Sequence, residues 1–210
     1  MGRLIGCLAV IALAFACQAQ PQPSPTPSPV PTPHTAPLAA VLQAADVPAG
    51  LAGCTGSGPI DTYISSVAAT NPSVAAAATA EWAKLQTEGA TAAAVSIFAA
   101  DPSACGAELG AASNFKSAAS FVAIFSDAGE ADRAWGSGLF GFVPPAVGEQ
   151  APGVTRGAST GLGISSFTYV LSPVQLAAWH HSVFVALVVL TNLDTTAFQP
   201  ATAAVDARLN

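Results

Sequence analysis

The sequence predicts an α+β domain: a mostly antiparallel sheet of about five strands, helices packed against it, and one disulfide. Two observations carry this. Apolar spacing changes along the chain from the helical i, i+3, i+4 pattern to strict alternation, and later changes back. Late in the chain, Val183 to Leu190 form an unbroken valine-rich apolar run, which suits a central strand covered on both faces and is far too short to cross a bilayer.

The elements follow in order. Leu38, Val41, Leu42 and Ala45 have the spacing of a short amphipathic helix, which Asp46-Val47-Pro48 ends. Pro59 opens a second helix with Ile60, Tyr63, Ile64 and Val67 on one stripe. Asn71-Pro72 supplies an N-cap and a first helical residue for a third, with Val74, Ala78, Trp82 and Leu85 on its apolar side. Glu81, Lys84 and Glu88 are expected on its wet side, and Gly89 to end it. Residues 93–99 then alternate, with Val95 and Ile97 opposite Phe98, and residues 120–125 place Phe121, Ala123 and Phe125 together. Asp127 to Glu130 resemble a capping box, opening a helix with Ala131, Ala134 and Trp135 on its stripe. Three strands are expected at 163–171, 174–180 and 183–191, the last two a hairpin turning near His181-Ser182. Pro200 begins a closing helix that docks Val205 and Leu209.

Composition narrows the function classes. Only 9% of residues are charged, against roughly 25% in ordinary soluble domains, and formal net charge is −6. The six Lys and Arg residues are scattered singly, so no nucleic-acid partner and no electrostatic grip on anionic lipid is expected.

The N-terminus reads as an address. Arg3 precedes the apolar stretch Leu4 to Ala16, too short for the about 20 residues a span needs. Residues 1–16 are therefore expected to be a signal peptide, with Ala14-Phe15-Ala16 a small-x-small cleavage site followed by Cys17. This resembles the lipobox of bacterial lipoproteins, although Ala14 stands where the family prefers leucine. Leu4-Ile5-Gly6-Cys7 fits the box better but lies too close to Arg3. The resemblance implies lipidation of Cys17 and membrane attachment through that lipid; the alternative is plain cleavage after Ala16 and release. Residues 17–37 then form the lipid-anchor cysteine and a tether. Gln18 to Pro37 contains eight prolines and no Asp, Glu, Lys or Arg, so as polyproline II it would reach about 60 Å. Residues 38–210 are expected to form the extracytoplasmic domain, in a periplasm or at a cell surface.

Of four cysteines, Cys54 and Cys105 remain for that domain, and an oxidising compartment favours a disulfide between them over two separate buried thiols. Neither sits in a C-x-x-C pair or beside a histidine, so no metal site is expected from them.

Ala44 to Gly50, the strand-helix run Phe121 to Trp135, Val147-Gly148-Glu149-Gln150 and the closing valine-rich strand plus helix together resemble the extracellular sensor domain of mycobacterial serine/threonine kinases of the PknH type. That resemblance, over residues 38–210, implies a ligand-binding cleft. The family's cleft is held by two disulfides, where this chain has cysteines for one.

Several short motifs suggest chemistry that their context does not support. Gly136 to Gly141 satisfies G-x-G-x-x-G but follows a helix and is blocked by Pro144-Pro145, so it reads as a turn. Gly157-Ala158-Ser159-Thr160-Gly161 satisfies G-x-S-x-G, and His180 or His181 with Asp194 would complete a serine hydrolase in a minor alternative reading. Adjacent His180 and His181 point to opposite strand faces and cannot clasp one ion, while His34 belongs to the tether. Trp82, Trp135 and Trp179 are read as packing residues rather than a cleft lining, and Glu149 and Arg156 as solvated flanks of a Pro-Gly turn. No catalytic residue, metal ligand or cofactor is assigned. The expected function is a non-enzymatic membrane-anchored lipoprotein that senses or binds a small-molecule or protein ligand, with a carrier of lipid or another apolar molecule as the alternative.

Overall fold

The computed structural model describes residues 35–112 and 114–209. The expected signal peptide, Cys7, Cys17 and the tether as far as His34 lie outside the described residues.

The first element among the described residues is one helical turn, α1 (Pro37–Ala40), rather than the longer helix its spacing predicts. The reason lies in the sheet. Ser120, buried in a strand, accepts the Leu42 N–H at 2.8 Å; Val41 is extended, and both Val41 and Leu42 are buried. Two short strands, β1 (Ala52–Gly53) and β2 (Gly58–Pro59), lead into α2 (Ile60–Ala68) and α3 (Pro72–Thr87). As expected, Pro72 is the first residue of α3 and the Asn71 side chain accepts the Val74 N–H. The long strands β3 (Ala90–Ala99) and β4 (Ser117–Phe125) flank two 3-10 turns, Pro102–Gly106 and Glu108–Gly110. α4 (Ala128–Ser137) follows, with Asp127 accepting the Glu130 N–H at 2.9 Å. β5 (Val154–Arg156), β6 (Ser166–Leu171), β7 (Val174–His181), β8 (Phe184–Thr191) and α5 (Phe198–Asp206) complete the order.

The fold is α+β. Among the described residues the sheet has eight strands in the order β1-β3-β4-β8-β7-β6-β5, with β2 also on β3, and every pairing is antiparallel. The five strands expected from alternation are β3, β4, β6, β7 and β8; the short β1, β2 and β5 extend the edges. β8 lies between β4 and β7 and is buried along its whole length, which accounts for its unbroken apolar run.

Alternation divides the strand side chains between two cores. On one face Val95, Phe121, Leu187, Ala178 and Phe167 meet the stripes of α2, α3 and α4, including Tyr63, Leu85 and Trp135. On the other, Val122, Val188, Leu190 and Trp179 pack with Val41, Leu42, Phe198, Val205 and Leu209. Burying each large side chain contributes roughly 1.5–3 kcal/mol, so covering both faces of β8 is a dominant part of the stability. Cys54 and Cys105 are joined by a disulfide with Cα atoms 5.7 Å apart, closing a separation of 51 residues.

Two polar expectations change. Arg156 is not a solvated flank. It pairs in register with Phe167, so it emerges on the α4 side of the sheet, where its guanidinium lies 5.9 Å from the Trp135 ring centroid. The charged side of α3 is not simply wet either. Lys84 Nζ donates to the Gly138 carbonyl at 2.7 Å and lies 3.5 Å from Glu81, while Ser137 Oγ donates to Glu88 at 2.9 Å. These contacts tie α3 to the end of α4.

Candidate functional site

At the end of the sheet where β6 turns into β7, an open cleft of about 370 Å³ enters the core that α2, α3 and α4 cover. Its floor is sheet: Tyr169 of β6, Val174 of β7 and Val189 of β8, all on the face that carries Phe121. One wall is Glu108-Leu109 from the second 3-10 turn, and the opposite wall is Phe140 and Phe142 from the turn after α4. Leu171 (49% exposed) and Phe142 (36%) stand at the mouth.

Both walls have unusual backbone. Leu109 and Phe140 occupy the left-handed region at φ 45° and 47°, which is uncommon outside glycine. Strain of this kind, of order 1–3 kcal/mol per residue, persists only where the surroundings over-determine it. Here they do. The Leu109 N–H donates to the buried Tyr63 hydroxyl at 3.1 Å, and Ser117 Oγ donates to the Gly110 carbonyl at 2.5 Å. Gly110 has φ 65° and passes so close to Ile97 that a Cβ would lie 2.8 Å from Ile97 Cγ2, so no side chain fits there. On the other wall, the Phe140 ring meets the Phe121 ring edge-on at 5.0 Å, and backbone bonds in both directions between Leu139 and Phe142 close the turn. The pocket is thus held by α2 on one side and the sheet core on the other.

Among the described residues the lining includes few with polar side chains: Glu108, Tyr169 and Ser172. Glu108 is exposed at the rim of the cleft; the neighbouring protein mass still pushes its carboxyl upward from the ordinary value, and the negative charge of Glu81 adds to the rise. Burial likewise raises Tyr63, against the opposing bond from Leu109.

The motifs singled out in the sequence fall as follows. Of the G-x-G-x-x-G stretch, Gly136 and Ser137 end α4 and only Gly138 to Gly141 form the expected turn, whose Phe140 is a wall of the cleft. Ser159 is exposed in the 3-10 turn Gly157–Thr160, between β5 and β6. His180 pairs with Val185 next to the hairpin turn, where its Nε2 contacts the Ser182 carbonyl oxygen at 2.5 Å and its Nδ1 lies 3.7 Å from Asp132. Asp194 follows the far end of β8, roughly 20 Å away by strand rise, and its carboxylate accepts from Thr196. His181 pairs with Phe184 at the same hairpin end, so neither histidine lies near Asp194 and the fold does not assemble Ser159, His180 or His181, and Asp194. Among the described residues no group of three or more His, Cys, Asp or Glu side chains is placed to hold a metal ion. Trp135 and Trp179 are buried and Trp82 is half-buried, and none of the three lines the cleft.

Tyr169 and Leu171 are legible in the sequence as one strand face, but Glu108, Leu109 and Phe140 are not. They sit in Ala- and Gly-rich turns where no period operates. Glycines at 106, 110, 138 and 141 are the only local sign of unusual backbone.

No family model, no curated protein and no solved structure matches this chain.

Proposed function

We propose that the chain is an exported, membrane-tethered, non-enzymatic lipoprotein whose globular part binds a small, largely apolar molecule in the cleft between Leu109 and Phe140. The observation that carries the reading is the cleft itself. An open apolar cavity of about 370 Å³ falls within the roughly 300–1,000 Å³ range of small-molecule sites; its left-handed Leu109 is fixed by the Tyr63 hydroxyl of α2 and its left-handed Phe140 by ring packing on Phe121. Its few polar groups suit recognition of one polar feature on a greasy body. Export and anchoring rest on Arg3, the apolar stretch to Ala16, Cys17 and the proline-rich tether. The disulfide is compatible with an oxidising compartment.

A carrier of lipid is the second reading, favoured by the exposed apolar residues Phe142, Val143 and Leu171 at and beside the mouth. Native mass spectrometry of the full chain, purified from its own membrane, separates the two. The ligand-binding reading expects an acyl mass on Cys17 and a small bound molecule that is lost in Leu171→Trp, where an indole narrows the mouth. A long-chain lipid in the cleft would favour the carrier. Unmodified Cys17 would remove the anchor from the proposal, and an empty cleft would remove the ligand.

A further inference from the structure

We infer that the cleft selects an apolar ligand bearing a single ammonium group, with the Glu108 carboxylate as its counter-ion. This deepens the ligand-binding reading and rests on it. Three observations carry it. First, among the described residues Glu108 supplies the only carboxyl lining the cleft, and no Lys, Arg or His lines it. Second, the Glu108 side chain has neither a hydrogen bond nor an ion pair among the described residues. Its charged neighbour Glu81 is negative and already lies 3.5 Å from Lys84. Third, the remaining lining includes the rings of Phe140, Phe142 and Tyr169, whose electron-rich faces attract a cation and repel an anion.

Each ligand class meets this site differently. An anion would enter beside Glu108 and Glu81 with no cation to receive it. A neutral molecule brings at most an uncharged donor to this exposed carboxylate and leaves its charge uncompensated. A protonated amine supplies the missing charge and hydrogen-bond donors together, while its hydrocarbon body covers Leu109, Val174 and Val189. The net charge of −6 over the whole chain favours the same sign of ligand.

Three probes of nearly equal size test this by calorimetry on the purified full chain at neutral pH: phenethylamine, phenethyl alcohol and phenylacetate. The amine is expected to bind about tenfold tighter than the alcohol, and phenylacetate more weakly than either. Glu108→Gln, which keeps shape and removes charge, is expected to erase the amine's advantage while alcohol binding persists. That persistence also shows that the variant is folded. Equal affinity of amine and alcohol, or an advantage that survives Glu108→Gln, overturns the counter-ion role and leaves the apolar cleft standing. Failure of all three probes to bind at millimolar concentration overturns the inference together with the cleft reading beneath it.

Discussion

Arg208 reaches back across the fold to Asp46, with Nη2 and Oδ1 2.8 Å apart at a sequence separation of 162. The same guanidinium donates to the Val41 carbonyl at 3.2 Å, so Arg208, two residues past α5, pins the segment that follows α1. Asp46 is held from its own side as well, by the Gln43 N–H at 2.7 Å.

Burial works to raise the Asp46 carboxyl, but the bonds from Arg208 and Gln43 outweigh it and the net shift is downward. Asp46 therefore binds fewer protons folded than unfolded. Its stabilisation is complete above the ordinary Asp range of about 3.9 and is lost as pH falls through the lower folded value. Solvent reaches the Arg208 side, so Arg208→Met is expected to cost about 1 kcal/mol at neutral pH. Urea midpoints measured from pH 6 down to pH 2 should show this difference shrink with acid.

Glu108 acts in the opposite direction. The neighbouring protein mass and then Glu81 raise its carboxyl, so in the window above the ordinary Glu range of about 4.3 the folded state holds a proton that the unfolded chain has released. Its contribution is fully present below that range and is lost as pH rises through the raised folded value. Glu108→Gln should flatten this part of the stability profile just above the ordinary Glu range, read by the same urea series.

Tyr63 is fully buried in α2, and its hydroxyl accepts the N–H of Leu109 at the cleft wall. Tyr63→Phe leaves that amide without its acceptor and should cost about 1–3 kcal/mol. Because Leu109 then loses the bond holding its left-handed conformation, affinity for phenethyl alcohol should fall along with the melting temperature. A Tyr63→Phe protein that melts lower but binds unchanged would show that the wall is held without this bond.

The Cys54–Cys105 disulfide fastens the segment between β1 and β2 to the 3-10 turn that precedes Glu108. Replacing both cysteines with serine reopens a loop of 51 residues and is expected to cost about 4 kcal/mol in the chain-entropy account. Guanidinium denaturation of the double variant against the disulfide-bonded wild type checks the figure, and the reduced wild type serves as the control for the double variant. The two should agree closely.

Much of this architecture is legible without any tertiary contact. Val95 and Ile97 stand opposite Phe98, and Phe121, Ala123 and Phe125 fall in line, because a strand turns alternate residues toward one core; these rows mark β3 and β4. Asn71-Pro72 and Asp127 mark helix starts because capping is a local hydrogen bond. The cysteine pair follows from counting.

What the sequence by itself determined is thus whatever repeats within a few residues: the helices, the alternating strands, their caps, and the run that makes β8 central. Only the tertiary structure decided that the Leu42 N–H goes to Ser120 rather than into a helix, that Arg156 turns inward over Trp135, and that Glu108, Phe140 and Tyr169 border one cleft. Periodicity records which face of an element meets a core. It carries no record of which turns meet each other, because that depends on the order in which distant strands pair.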